Sequence, residues 1–113
     1  PNVMGQSIKQ ASDDLTKAGF RVAVVGSNGK VTEQSLLPQQ KSLTNQLVIL
    51  TAKGNTHLPD MTGWSLTDAQ AFAHAAGFDL TWSGSGYVTR QLTPKDQLVV
   101  GNSKVAIELK EKQ

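Results

Sequence analysis

The chain contains no cysteine among its 113 residues, which excludes a disulfide framework and any Cys-ligated zinc site. Aromatics are scarce: two Trp, one Tyr and three Phe, so a core has to be built mainly from Val, Leu, Ile and Ala. No apolar run approaches the roughly 20 residues that a membrane span requires. There is no Lys/Arg block either. The 11 basic and 9 acidic residues are spread along the chain and leave a net charge of only +2, which argues against a nucleic-acid partner. The chain opens on Pro1 with no signal peptide, and it reads as a soluble piece of a longer polypeptide.

What the sequence does have is a repeat. Shifted by 58 positions, Pro1 falls on Pro59, Gly5 on Gly63, Ser7 on Ser65, Ala11 on Ala69, and Ala18-Gly19-Phe20 on Ala76-Gly77-Phe78. Gly26-Ser27 falls on Gly84-Ser85; after a one-residue deletion Gly29 meets Gly86, Val31-Thr32 meets Val88-Thr89, and Gln34 meets Gln91. The boundaries are residues 1–53 for the first repeat, 54–58 for a linker and 59–113 for the second.

Each copy predicts the same elements. In the first, Ser7 is placed to cap a helix whose Ile8, Ala11, Leu15 and Ala18 share a face, and Gly19 supplies its left-handed stop. In the second, Ser65-Leu66-Thr67-Asp68 is a capping-box pattern, Leu66, Ala69, Ala73 and Ala76 form the face, and Gly77-Phe78 ends it. Three strands are predicted to follow each helix, over Phe20–Val25, Lys30–Gln34 and Gln46–Ala52 and over Phe78–Trp82, Tyr87–Gln91 and Lys104–Lys110. Gly26-Ser27-Asn28-Gly29 and Gly84-Ser85-Gly86 read as hairpin turns. The fold class is α+β: two tandem repeats, each one helix packed on a small three-stranded antiparallel sheet.

Chemistry is sparse. His57 and His74 have no companions at metal-ligand spacing. Asp13-Asp14 are neighbours on a helix and point apart. The glycine-rich turns lead into strands, whereas a phosphate cradle leads into a helix.

A repeat that opens Pro-Asn/Asp-x-x-Gly-x-Ser, runs through a helix ending Ala-Gly-Phe, and continues with a Gly-Ser turn and Val-Thr-x-Gln resembles the PASTA domain, a module of penicillin-binding proteins and serine/threonine kinases. The resemblance covers essentially the whole chain as two copies. Pro59-Asp60-Met61-Thr62-Gly63-Trp64 followed by Gly84-Ser85-Gly86-Tyr87-Val88 is similar to the C-terminal repeat of class B penicillin-binding proteins, the peptidoglycan transpeptidases of Gram-positive bacteria. The chain departs from the family at its Gln-Ser-Pro-x-x-Gly segment, which here reads Gln34-Ser35-Leu36-Leu37-Pro38 and Gln91-Leu92-Thr93-Pro94-Lys95-Asp96, with Pro displaced and Gly absent.

The resemblance implies a non-catalytic region without cofactor or metal, since the Ser-x-Asn and Lys-Thr-Gly elements of penicillin-binding enzymes do not occur and a Ser-x-x-Lys spacing falls only in a glycine-rich turn, at Ser27-Asn28-Gly29-Lys30. It implies a membrane-anchored parent, a place on the extracellular face at the division septum, and a role in positioning the enzyme. The implied partners are the transpeptidase domain of the same polypeptide, peptidoglycan or a β-lactam, and divisome proteins. The alternatives are a muropeptide-sensing segment of a kinase and a ligand-free spacer. Candidate ligand or domain contacts are Trp64, Ser65, Trp82, Tyr87, Arg90 and Gln91. They concentrate in the second copy, where Trp64, Trp82, Tyr87 and Arg90 replace Gln6, Val24, Lys30 and Glu33. Aromatic faces stack on sugar rings and Arg pairs with carboxylate or phosphate. Against that, Trp82 is expected to fill core as Val24 does, and Trp64, just before the helix cap, is expected to pack.

Overall fold

The computed structural model describes residues 3–35, 46–101 and 103–111. The chain divides into two compact units, Pro1–Asn55 and Thr56–Gln113. In the first unit, helix α1 (Ile8–Lys17) begins where the Ser7 hydroxyl accepts the Gln10 N–H at 3.2 Å. It stops at Gly19, and the Phe20 N–H returns to the Leu15 carbonyl at 3.0 Å. Three strands follow, β1 (Arg21–Val25), β2 (Asn28–Gln34) and β3 (Leu47–Lys53). The second unit opens with β4 (Thr56–His57) and helix α2 (Leu66–Ala76), capped by Ser65 accepting from Asp68 N–H and closed by Gly77 in the left-handed region. It continues with β5 (Asp79–Ser83), β6 (Tyr87–Gln91), β7 (Leu98–Val99) and β8 (Lys104–Lys110).

The sheets are mixed, not antiparallel as the sequence suggests. The last strand lies in the middle: the orders are β1-β3-β2 and β5-β8-β6, with β1 parallel to β3 and β5 parallel to β8, while β2 and β6 run antiparallel to the centre. The strands flanking each glycine-rich segment therefore never pair with each other, and those segments are not hairpins. They carry the chain across the end of the central strand. A Cβ on Gly26 would run into the Ala52 carbonyl, and one on Gly84 into the Leu109 carbonyl. Glycine is required there because two backbones approach without room for a side chain.

The opening segment of each repeat is a turn pinned to the sheet. Gln6 N–H donates to Val3 C=O at 3.1 Å and Trp64 N–H to Met61 C=O at 2.9 Å. Gly5 (φ 83) and Gly63 (φ 89) occupy the third turn position, as a type II turn demands. Val31 and Val88 then each exchange two backbone hydrogen bonds with the turn, through Gly5 and Gln6 in one unit and Gly63 and Trp64 in the other.

The first core gathers Val3, Ala11, Leu15, Val31, Val48 and Leu50, with Phe20 and Val22 against it. Ala18, expected on the same face, is exposed. In the second unit Met61, Trp64, Ala69, Phe72, Ala73, Phe78, Val88, Val105, Ile107 and Leu109 are buried. Phe72 is the residue that helical spacing of alanines did not single out. Residues 54–58, read as a linker, are partly built into the second unit. Thr56 and His57 pair with Val99 and Leu98, and Leu58 is buried with its N–H on the Gln97 carbonyl at 2.9 Å.

One departure from the family pattern is smaller than it looked. Asp96, at the position of the pattern's glycine, holds φ 69, and Asp is among the few side chains that tolerate the left-handed region. Of the first repeat's equivalent, Leu36-Leu37-Pro38 lies outside the described residues.

Candidate functional site

Ser65, Gln91, Trp64 and Arg90, singled out in the sequence, are engaged inside the second unit. The Ser65 hydroxyl accepts the Asp68 N–H at 3.1 Å and is the helix cap. The Gln91 side-chain amide spans the repeat: its Oε1 accepts the Met61 N–H, and its Nε2 donates to the Pro59 and Thr93 carbonyls at 3.2 and 3.3 Å. The first repeat uses the same device, since Val3 N–H donates to Gln34 Oε1 at 2.9 Å. The Gln of Val-Thr-x-Gln is thus a clamp that ties the opening Pro-containing segment to the sheet.

The Trp64 indole is buried and meets Phe72 edge to face, with ring centroids 6.0 Å apart and planes at 81°. Phe72 in turn lies 6.0 Å from Phe78. Offset and edge contacts of this kind are worth about 0.5–1.5 kcal/mol beyond burial. The indole thus packs onto its own helix, one turn beyond the residue a hydrophobic staple usually reaches. Arg90 sits opposite Glu108 in the β6–β8 ladder, its Nη1 3.7 Å from Glu108 Oε1. Both side chains are more than a third exposed, so the pair contributes well under about 1 kcal/mol. It does, however, place a carboxylate beside the only arginine of the second unit.

Trp82 is the correction. It replaces Val24, but it is 45% exposed and does not fill core. Val24 itself is only half-buried, because both residues sit near the end of an edge strand. Trp82 lines a shallow depression with Thr81, Ser83, Leu92, Ala106 and Ile107, of about 200 Å3. Leu92, 49% exposed, was not singled out in the sequence; the signal was an apolar side chain where the family pattern has Ser.

Tyr87 is 40% exposed. It lines an open groove of about 450 Å3 together with Thr62, Gly63, Val88, Thr89, Lys110 and Glu111. Asp60 lies in the turn that leads to this groove. Its carboxylate accepts the Thr62 N–H at 3.1 Å. Thr62 hydrogen bonds and the charge of Lys95 hold its pKa below the ordinary carboxylate value. Among the described residues no group of three His, Cys, Asp or Glu side chains could hold a metal ion. Among the same residues no helix is long and apolar enough to cross a membrane. What the arrangement offers is a surface: one apolar patch at Trp82 and Leu92 and one mixed groove at Tyr87.

The family model of the PASTA domain, a non-catalytic and typically extracellular module, matches residues 1–53 and 56–111. No curated protein matches the chain in sequence. Among solved structures, the chain is similar to penicillin-binding protein 2X from Streptococcus thermophilus, at 23% identity and a TM-score of 0.77 over 96% of its length. It spans 16% of that protein. Two structures from Staphylococcus aureus are also similar. The extracellular region of the Ser/Thr kinase PrkC matches at 21% identity and TM-score 0.42, covering 99% of this chain and 46% of that one. The three-PASTA-domain of a Ser/Thr kinase matches at 16% identity and TM-score 0.38, covering 100% and 67%. With both repeats matched almost end to end, and with the helix, mixed sheet and Gln clamp present twice, the chain belongs to the PASTA domain family as a tandem pair of non-catalytic repeats.

Proposed function

We propose that the chain is the PASTA region of a class B penicillin-binding protein, serving peptidoglycan cross-linking at the division septum by docking on the transpeptidase domain of the same polypeptide. The observation that carries this reading is the internal engagement of Ser65, Gln91, Arg90 and Trp64. Recognition of a muropeptide or a β-lactam calls for convergent polar groups around an enclosed space, and the groups that the sequence offered for that are tied into the fold. The exposed Trp82 and Leu92 suit a broad apolar contact with another protein surface instead. The likeness to penicillin-binding protein 2X supports the same reading.

Two measurements test it. The sequence upstream is expected to carry a Ser-x-x-Lys and a Lys-Ser/Thr-Gly element; a kinase domain followed by a single membrane span there would overturn the assignment. In the second, the chain is titrated with muropeptides and with a β-lactam while Trp fluorescence is followed. No change is expected up to millimolar ligand. A saturable change that survives Trp82→Ala would overturn docking as the role and return the chain to ligand binding.

A further inference from the structure

Among the five asparagines of the chain, Asn28 alone is followed by glycine. We infer that Asn28 is a site of spontaneous modification: in the folded protein its side-chain amide cyclises onto the Gly29 nitrogen and converts to aspartate and isoaspartate.

The chemistry requires three things, and the first repeat supplies them together. The attacking nitrogen has to be unhindered, and a following glycine has no Cβ to obstruct ring closure. Nothing lies within 4 Å of where a Gly29 Cβ would stand. The amide has to reach its own backbone, which the short Asn side chain does readily in turns. The backbone also has to be free to rotate. Asn28 is the first residue of β2, and its pairing with β3 breaks off at once: Asn28 faces Lys53, and the next registered pair is Glu33 with Thr51. Ser27, Asn28, Gly29 and Lys30 are all exposed, so water reaches the site, although one side of the Asn28 carboxamide lies over Gly54.

The step balances without any outside oxidant or catalyst. The Gly29 backbone nitrogen attacks Asn28 Cγ and a new N–Cγ bond forms. The Cγ–Nδ2 bond breaks, and ammonia leaves with the proton from the Gly29 nitrogen. Water then opens the succinimide. Addition at Cγ restores a normal backbone with an aspartate; addition at the main-chain carbonyl routes the backbone through the side chain and gives isoaspartate. Either product lowers the net charge of +2 by one. Isoaspartate also adds a methylene to the backbone where the chain wraps the end of β3, beside the tight contact of Gly26 with Ala52.

The second repeat is a built-in control. Ser85 falls on Ser27 and Gly86 on Gly29, and the one-residue deletion between them removes the asparagine. Gly86 is preceded by Ser85, which has no carboxamide and whose hydroxyl donates to Glu111 Oε1 at 2.8 Å.

The test incubates the folded chain at mildly alkaline pH and follows tryptic peptides by mass spectrometry, with isoaspartyl methyltransferase labelling as the second readout. The expected result is a gain of about 1 Da confined to the peptide that carries Asn28, methyl acceptance at that peptide, and a more acidic ion-exchange species that accumulates faster as pH rises. Asn28→Ser, which puts a serine before Gly29 as Ser85 stands before Gly86, abolishes all three and leaves the unfolding midpoint unchanged. A wild-type chain that gains mass at Asn28 only in urea would overturn the inference, because the folded turn would then be protective. Equal gains at Asn28 and Asn55, or no gain at all, would overturn it as well.

Discussion

At the scale of single residues, motif membership and ligand contact are easily confused, and Gln91 illustrates why. Its place in a recurring Val-Thr-x-Gln pattern, beside aromatic neighbours, looks like a recognition site. Its amide instead satisfies one N–H and two carbonyls of backbone that would otherwise be left unpaired at a half-buried junction. Removing such a side chain strands its partners, at a cost of about 1–3 kcal/mol. Gln91→Ala is therefore expected to lower the free energy of unfolding by about 2 kcal/mol, measured by urea titration. An unchanged midpoint would mean the clamp is dispensable and would reopen Gln91 as a contact residue. Periodicity and capping rules predicted Ser65 as a cap, because an N-cap hydroxyl acts on the nearest N–H groups and is a local property of the chain. A hydrogen bond between residues about 30 positions apart, such as Met61 to Gln91, has no such local signature.

At the scale of elements, helices were legible and strand partners were not. Ser7, Ser65, Gly19 and Gly77 mark the helix ends that the structure shows, since caps and stops act within a turn of the backbone. Strand alternation tells which side chains alternate in burial, not which strand lies next door. The chain order therefore suggested β1 beside β2, where the structure inserts β3 between them. The signal for that crossing was present in the glycines, but it needs the third strand to be interpreted. Gly84 makes the point measurable by comparison with Gly77. Both have φ 82, so both incur the left-handed strain of about 1–2 kcal/mol when replaced by alanine. A Cβ on Gly77 meets nothing within 4 Å, whereas on Gly84 it runs into the Leu109 carbonyl. Gly84→Ala should therefore destabilise by at least about 1 kcal/mol more than Gly77→Ala, read from paired denaturant curves. Equal losses would show that the crossing tolerates a side chain.

At the scale of the whole molecule, two copies of one fold have filled one space in two ways. Where the first repeat has Gln6, Asp14 and Leu15, the second has Trp64, Phe72 and Ala73. In the first, Leu15 is buried while Asp14 is only half-buried, its carboxylate accepting from Gln10 Nε2. In the second, the smaller Ala73 leaves volume that the Trp64–Phe72–Phe78 chain of rings occupies. Viewed one residue at a time, Trp64 looked like an addition to the repeat. Viewed across both copies, it is half of an exchange of bulk between adjacent helix positions. Close-packed interiors respond to such exchanges non-additively. Phe72→Ala alone should cost about 3–5 kcal/mol through the cavity it opens. Ala73→Leu alone should cost about 1–3 kcal/mol by overpacking. The double substitution, which moves the second repeat toward the solution of the first, should cost less than the sum by about 1 kcal/mol or more, because the leucine grows into the space the phenylalanine vacates. The two tryptophans both lie in the second unit, so fluorescence-detected unfolding follows this unit's own side chains. Strict additivity across the four proteins of the cycle would mean that positions 72 and 73 do not share a cavity, and the exchange of bulk would fall as the reason for the indole.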